Sequence, residues 1–177
     1  GEIHSTTAVN YSNLATVLQN LGEYTAANNL LEKKIQQAKK LMQDFELYNY
    51  FPIIYNYECL ILEVDKNYET KKKKLESELI ENQKQTNNIQ QYQQLKDEWL
   101  MVRQDANAYI RETSKIDFVA EKLSTPFLNH VNNATTTATK ILFYYVRVGY
   151  ALMINDVATA YNDSVAQYLV LKNNLNN

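Results

Sequence analysis

Three glycines (Gly1, Gly22 and Gly149) and two prolines (Pro52 and Pro126) are all the strong backbone punctuation in a chain of 177 residues. Turn-rich β architectures need Gly and Pro at many tight turns, and nucleotide-binding α/β folds need glycine clusters behind a strand. This chain has neither. What remains is an all-α protein with few, polar connections. Its apolar content of 45% and charged content of 21% are ordinary for a globular chain, and its length suffices to bury a core without disulfides or metals.

Charge and cysteine narrow the partners. A net charge of -2 and a pI near 5.8 give no basic footprint for nucleic acid. The one charge run, Lys71–Lys74, is bracketed by Asp65, Glu69, Glu76, Glu78 and Glu81. Glu69 and Lys73, like Lys74 and Glu78, are four apart, which reads as a solvated helix face. Cys59 is the only cysteine, so no internal disulfide forms. That fits a reducing compartment, and a cytoplasmic location is favoured over a secreted one. The three sequons, at Asn10, Asn133 and Asn162, are what an Asn-rich composition yields by chance. No apolar run approaches the roughly 18 residues of a membrane span.

Apolar residues recur at helical spacing along the chain. A first helix is expected over Thr7–Leu21, through Val9, Leu14, Val17, Leu18 and Leu21, and Gly22 ends it. A second runs Tyr24–Phe45, with Ala27, Leu30, Leu31, Ile35, Ala38 and Leu41 on one face. The short link between them makes the two antiparallel neighbours. A third runs Pro52–Val64, a polar turn follows at Asp65–Asn67, and a fourth runs Tyr68–Glu81 with a polar end near Gln85–Asn88. A fifth runs Ile89–Arg111, and a short sixth Ile116–Leu123. Thr125 and Pro126 read as N-cap and first-turn proline of a seventh helix reaching Ile154, which Thr135–Thr137 would kink or break. The last runs Asp156–Leu171, before a frayed tail over 172–177. The chain is thus expected to be a single domain of seven to eight helices, paired over 8–45, 52–84, 89–123 (irregular) and 126–171.

The first pair reads Tyr11, Leu14, Ala15, Leu18, Gly22, Tyr24, Ala27 and Leu31. Small residues stand where two helix backbones approach closely, and large ones fill the space around them. This pattern resembles the tetratricopeptide repeat at all eight signature positions. A second copy lies 44 residues on, with Tyr55, Cys59, Leu62, Tyr68 and Leu75 in the equivalent places. Glu58, Lys66 and Lys71 depart from the pattern. A looser third copy has Tyr145, Val148, Gly149, Leu152, Asp156 and Val165, with Tyr161 in place of a small residue. The resemblance implies antiparallel helix pairs stacked as an α-α superhelix, with a pitch altered by the long spacing.

No set of residues converges for catalysis or metal binding. His4 and His130 each lack a carboxylate or thiol at ligand spacing. Cys59 occupies a packing position, and Asp97 and Glu98 point to different helix faces. No cofactor is called for, and the chain reads as a non-enzyme. Tyr48, Tyr50, Tyr55 and Tyr57 crowd around Pro52, where core packing and a binding role compete.

The resemblance further implies a concave groove lined by the first helix of each pair, formed by Ser12, Thr16, Gln19 and Asn20 and then by Asn56, Leu60 and Glu63. Asn and Gln can bond an extended peptide backbone through both donor and acceptor. Ser12 and Thr16 stand where the family's clamp for acidic peptide ends carries Lys and Asn, which excludes that specificity. The expected role is a helical-repeat scaffold for a protein or peptide partner, with neither nucleic acid nor membrane, and with exposed terminal repeats suited to homodimerisation. Two other readings compete. One is the peptide-sensing part of a bacterial regulator, and the other a secreted helical carrier of a small apolar ligand.

Overall fold

The computed structural model describes residue 16 and residues 24–62, 68–109 and 112–175. Thr16 is helical, and the rest of the expected first helix, with the turn at 65–67, lies outside the described residues. All regular structure among the described residues is helical. The helices are α1 (Tyr24–Asp44), α2 (Phe51–Leu62), α3 (Tyr68–Tyr109), α4 (Glu112–Ser124), α5 (Pro126–Asn129), α6 (Thr137–Met153) and α7 (Val157–Leu175). Short 3-10 turns occupy Tyr48–Tyr50 and Val131–Asn133. No helix among the described residues is long and apolar enough to cross a membrane.

Two helix ends show how a chain so poor in glycine still turns. At the end of α1, Leu47 N donates to Met42 O (2.8 Å) and Glu46 N to Gln43 O (3.2 Å), while Glu46 takes the left-handed conformation with φ 54°. At the end of α6, Asp156 N donates to Ala151 O (2.9 Å) and Asn155 N to Leu152 O (3.2 Å), with Asn155 at φ 57°. Both are Schellman caps, in which the left-handed residue is usually glycine. Asn tolerates that region through its short polar side chain, while Glu46 bears a cost of about 1 kcal/mol.

The chain divides into two compact units, residues 1–83 and 84–177, with the boundary inside α3. The first unit contains α1, α2 and the start of α3. Its core is Met42, Phe51, Leu62 and Leu75, flanked by Tyr48, Ile54, Tyr55, Cys59 and Leu79. On α1, Ala27, Ile35 and Met42 are buried at helical spacing, whereas Leu41, expected on that face, is exposed.

In the second unit the core is Tyr92, Trp99, Val119, Leu128, Ala134, Phe143, Val146 and Tyr150. The Trp99 ring meets Tyr150 edge-on at 5.0 Å, and a Cβ on Gly149 would overlap the Trp99 indole. Here glycine is required by close approach rather than by a turn. Tyr92 donates its hydroxyl to Phe127 O (2.7 Å). Burial pushes the Tyr92 phenol up to about 12, and burial with the nearby Glu98 charge does the same for Tyr150.

Three expectations about elements are corrected. The break near Gln85–Asn88 is absent, and α3 runs unbroken for 42 residues. The polar residues there are helix-compatible because their side chains bond elsewhere: Asn88 Nδ2 donates to Asn133 O (2.9 Å), and the Thr135 hydroxyl sits 2.5 Å from Gln85 Oε1. Asn and Thr disfavour a helix chiefly by competing for its backbone, and these side chains do not. Second, the break that Thr135–Thr137 suggested in the helix expected over 126–154 is present but wider, with α5, the 3-10 turn and an extended stretch preceding α6. Thr136 caps α6, its hydroxyl accepting from Thr139 N while the Thr139 hydroxyl accepts from Thr136 N. That reciprocal box holds both otherwise unpaired amides. Thr125 stands before Pro126 as expected, but its hydroxyl donates back to Lys122 O (2.7 Å) instead of capping α5. Third, α7 extends through Leu175, so the tail expected to fray from 172 is helical to that point.

The α6–α7 hairpin is held by polar pairs that step in opposite directions along the two helices, as antiparallel packing requires. Thr137 Oγ1 donates to Asn174 Oδ1 (3.1 Å), Gln167 Nε2 to Ile141 O (2.9 Å) and Arg147 Nε to Asp163 Oδ2 (2.9 Å). Arg147 also donates to Leu128 O (2.8 Å) and lies over the Phe143 ring, which ties α5, α6 and α7 together.

Candidate interaction surface

The α1–α2 corner collects large apolar side chains that the fold leaves in solvent. The cap at Glu46 reverses the chain after the last turn of α1, which carries Leu41, and after Phe45 just beyond it. The 3-10 turn and the start of α2 then bring Tyr50, Ile53 and Tyr57 onto one face by their three- and four-residue spacing. Leu41, Phe45 (67% exposed), Leu47, Tyr50, Ile53 (55%) and Tyr57 are all exposed. Asn56, exposed beside Tyr57 in sequence, supplies both a hydrogen-bond donor and an acceptor on the same helix. The opposite side of the turn goes inward. Phe51 is buried, and Tyr48 is half-buried, its phenol raised by burial and then by the Glu46 charge.

Behind this corner, α1, α2 and α3 meet through charge. Lys39 Nζ lies 2.6 Å from Glu58 Oε2 and also donates to Glu78 Oε2 at 2.6 Å. The ammonium stands 5.5 Å from the Phe51 ring centre. Lys39 is the cation that compensates the buried Glu58 oxygen. Burial, with a smaller contribution from Glu78, raises the Glu58 carboxyl above its ordinary value even though Lys39 and Lys74 pull it down. Glu58 is the position where the second repeat copy departs from an apolar residue. Sequence spacing showed the departure but could not show that Lys39, from another helix, would meet it.

The expected groove residues are placed as follows. Asn56 is exposed on α2, and Thr16 is exposed and helical. Leu60 lies in α2, and nothing further of its side chain is described. Ser12, Gln19, Asn20 and Glu63 lie outside the described residues, as do Tyr11, Leu14, Ala15, Leu18 and Gly22 among the repeat-packing positions. Of the other packing positions, Ala27 and Leu62 are buried and Leu31, Tyr55 and Cys59 are half-buried. Tyr24 and Tyr68 begin α1 and α3. Tyr55 and Cys59 lie one helical turn apart, and their hydrogen bond raises the Tyr55 phenol. In the loose third copy, Gly149 is buried and Val148 half-buried, but Tyr145, Leu152, Tyr161 and Val165 are exposed, so most apolar positions of that copy do not pack inward.

Among the described residues no three His, Cys, Asp or Glu side chains gather where a metal could sit. His130 accepts from Asn132 N (3.3 Å) at the start of a 3-10 turn, which is a local structural role. Comparison with protein-family models, with curated proteins and with solved structures finds no match.

Proposed function

We propose that this chain is a non-enzymatic helical interaction module of tetratricopeptide-like kind that holds a peptide or protein segment against the α1–α2 corner. The observation that carries this reading is the exposed row Tyr50, Ile53 and Tyr57 with Asn56 beside it. Tyrosine gives apolar contact area with a polar tip and few rotatable bonds, which suits a binding face. Asn56 can pair with a bound backbone through both halves of its amide. In this reading the chain works in a reducing compartment, needs no cofactor and engages neither nucleic acid nor membrane.

A displayed peptide library, screened against the purified chain, tests it. Tyr57→Ala and Asn56→Ala should each weaken the best binder at least tenfold, since hot-spot truncations of this kind cost about 2 kcal/mol. Asn20→Ala then separates two forms of the reading. Weakening by Asn20→Ala together with Asn56→Ala supports a groove shared by two repeats, while indifference to Asn20→Ala confines the site to the α1–α2 corner. Indifference to both Tyr57→Ala and Asn56→Ala sinks the proposal.

A further inference from the structure

Helix α7 is built with its apolar side outward. Most residues it turns inward are small or polar: Ala160 is buried, Asp163 and Gln167 bond to α6, and Val170 beside them is half-buried. Its large apolar residues face solvent. Val157 is 68% exposed, Tyr161 69% and Tyr168 59%, with Val165 and Leu171 also exposed. Val157, Tyr161, Ser164, Tyr168 and Leu171 follow one another at intervals of four, three, four and three residues. That is the a/d spacing of a seam at which one helix packs against another. A helix that packed only against α6 would carry its bulk on the other face.

We infer that the occupant of this seam is α7 of a second copy of the same chain, packed antiparallel across a two-fold axis. Charge favours a second copy. Asp163 and Lys172 are the only charged residues in the 19 of α7, and Asp163 is taken up by Arg147. The seam therefore presents no charge pattern that would need an oppositely charged partner. Charge also favours the antiparallel sense, because parallel helices would set the two Lys172 ammonium groups side by side, whereas antiparallel helices carry them to opposite ends. The helix dipoles oppose one another in the same arrangement.

Side-chain size sets the register. Seating Ser164 of one copy against Tyr168 of the other places a small residue opposite a large one, and the same register brings Tyr161 of one copy against Leu171 of the other. A parallel seam would face serine with serine and leave a gap at its centre. The exposed apolar seam amounts to on the order of 500 Å² per copy. Two copies thus remove on the order of 1,000 Å² from water, the lower bound for a specific interface. A concentration-dependent dimer is expected rather than an obligate one.

Sedimentation equilibrium on the full chain tests this at about 100 µM, where a micromolar dimer is nearly saturated, and on dilution. The wild type should be dimeric and should dissociate as it is diluted. Tyr161→Glu and Leu171→Lys, both at exposed positions, should each keep the helical circular dichroism of the wild type and weaken the dimer at least tenfold. Because the register sets residue 161 against residue 171, an equimolar mixture of the two variants should restore a dimer containing one of each. A wild type that stays monomeric at the highest concentration overturns the inference. So does a monomer that Tyr161→Glu destabilises to heat, because the seam is then covered by another part of its own chain. Dimers indifferent to both substitutions, or a mixture that fails to pair, exclude this face or this register.

Discussion

Both units bury apolar residues, but different contacts surround the two cores. In the second, Tyr92, Trp99, Phe143 and Tyr150 are buried and make edge-on ring contacts, with a glycine admitting the largest ring. Among the described residues of the first, the core is Met42, Phe51, Leu62 and Leu75, and a lysine and two glutamates join α1, α2 and α3. Its tyrosines at the α1–α2 corner are partly turned outward instead. The second unit is organised by shape, since the Trp99 ring fills the space that Gly149 leaves and meets Tyr150 edge-on. The first is organised by charge, since Lys39 meets both glutamates in one relative placement of α1, α2 and α3. Shape complementarity brings stability along with specificity. A buried ion pair brings less, because desolvation offsets much of its attraction.

Substitutions can break this comparison, starting with the largest effect. Trp99→Ala should cost about 3–5 kcal/mol of stability in chemical denaturation, with amide-exchange protection lost over the second unit first. Gly149→Ala should cost about 2 kcal/mol by overpacking, and little of that should remain in the Trp99→Ala background, where the added methyl has room. A cost that persists there would show that Gly149 is needed for some contact other than Trp99.

Lys39→Met should cost about 3 kcal/mol at neutral pH, because it leaves two partly buried carboxylates without their cation. The loss should shrink on acidification as those carboxylates take up protons. Glu58 itself has a pH signature of fixed sign. Its folded pKa is raised above the ordinary value of 4.5, so its contribution to stability is complete below that value and is lost as pH rises through the raised one. Glu58→Gln, uncharged throughout, should therefore be more stable than wild type near pH 7 and indistinguishable from it at pH 4. A wild type that outlasts Glu58→Gln at neutral pH would show that the ion pair more than offsets its desolvation, and the contrast between the units would fall.

The smallest effect sharpens the comparison within the second unit. Thr136→Ala removes one half of the capping box and should cost about 1 kcal/mol, with exchange accelerated at the first turn of α6 alone. A loss spread over the whole unit would mean that the break before α6, and not the aromatic core, sets its stability.

Much of this was legible in local sequence. The second helix fell close to its expected end and the third close to its expected start, because Ala27 with Ile35, and Pro52, carry their signals within one or two turns. Gly149 was readable as a place of close approach, though not the ring that fills it. The continuity of α3 was not legible, because Gln85–Asn88 resembles a helix end until Asn133 and Thr135, some 45 residues away, occupy its polar groups. Nor were the turns at Glu46 and Asn155, where the left-handed residue is not glycine. Of the candidate site, Asn56 and the tyrosines around Pro52 could be named in advance. Which of those tyrosines would face solvent could not, since Tyr48 and Tyr50 are two residues apart and only packing against Phe51 and Met42 separates their fates.

The sequence alone determined that the chain would be helical, because helix formation and its interruption are governed by neighbours within a few residues, and a chain with so little glycine and proline is rarely interrupted. Only the tertiary structure decided which face of each helix is buried. Helix α7 makes the point: its periodicity was plain, but its apolar stripe faces solvent, because Asp163, Gln167 and Asn174 find exact partners on α6 and the large side chains do not.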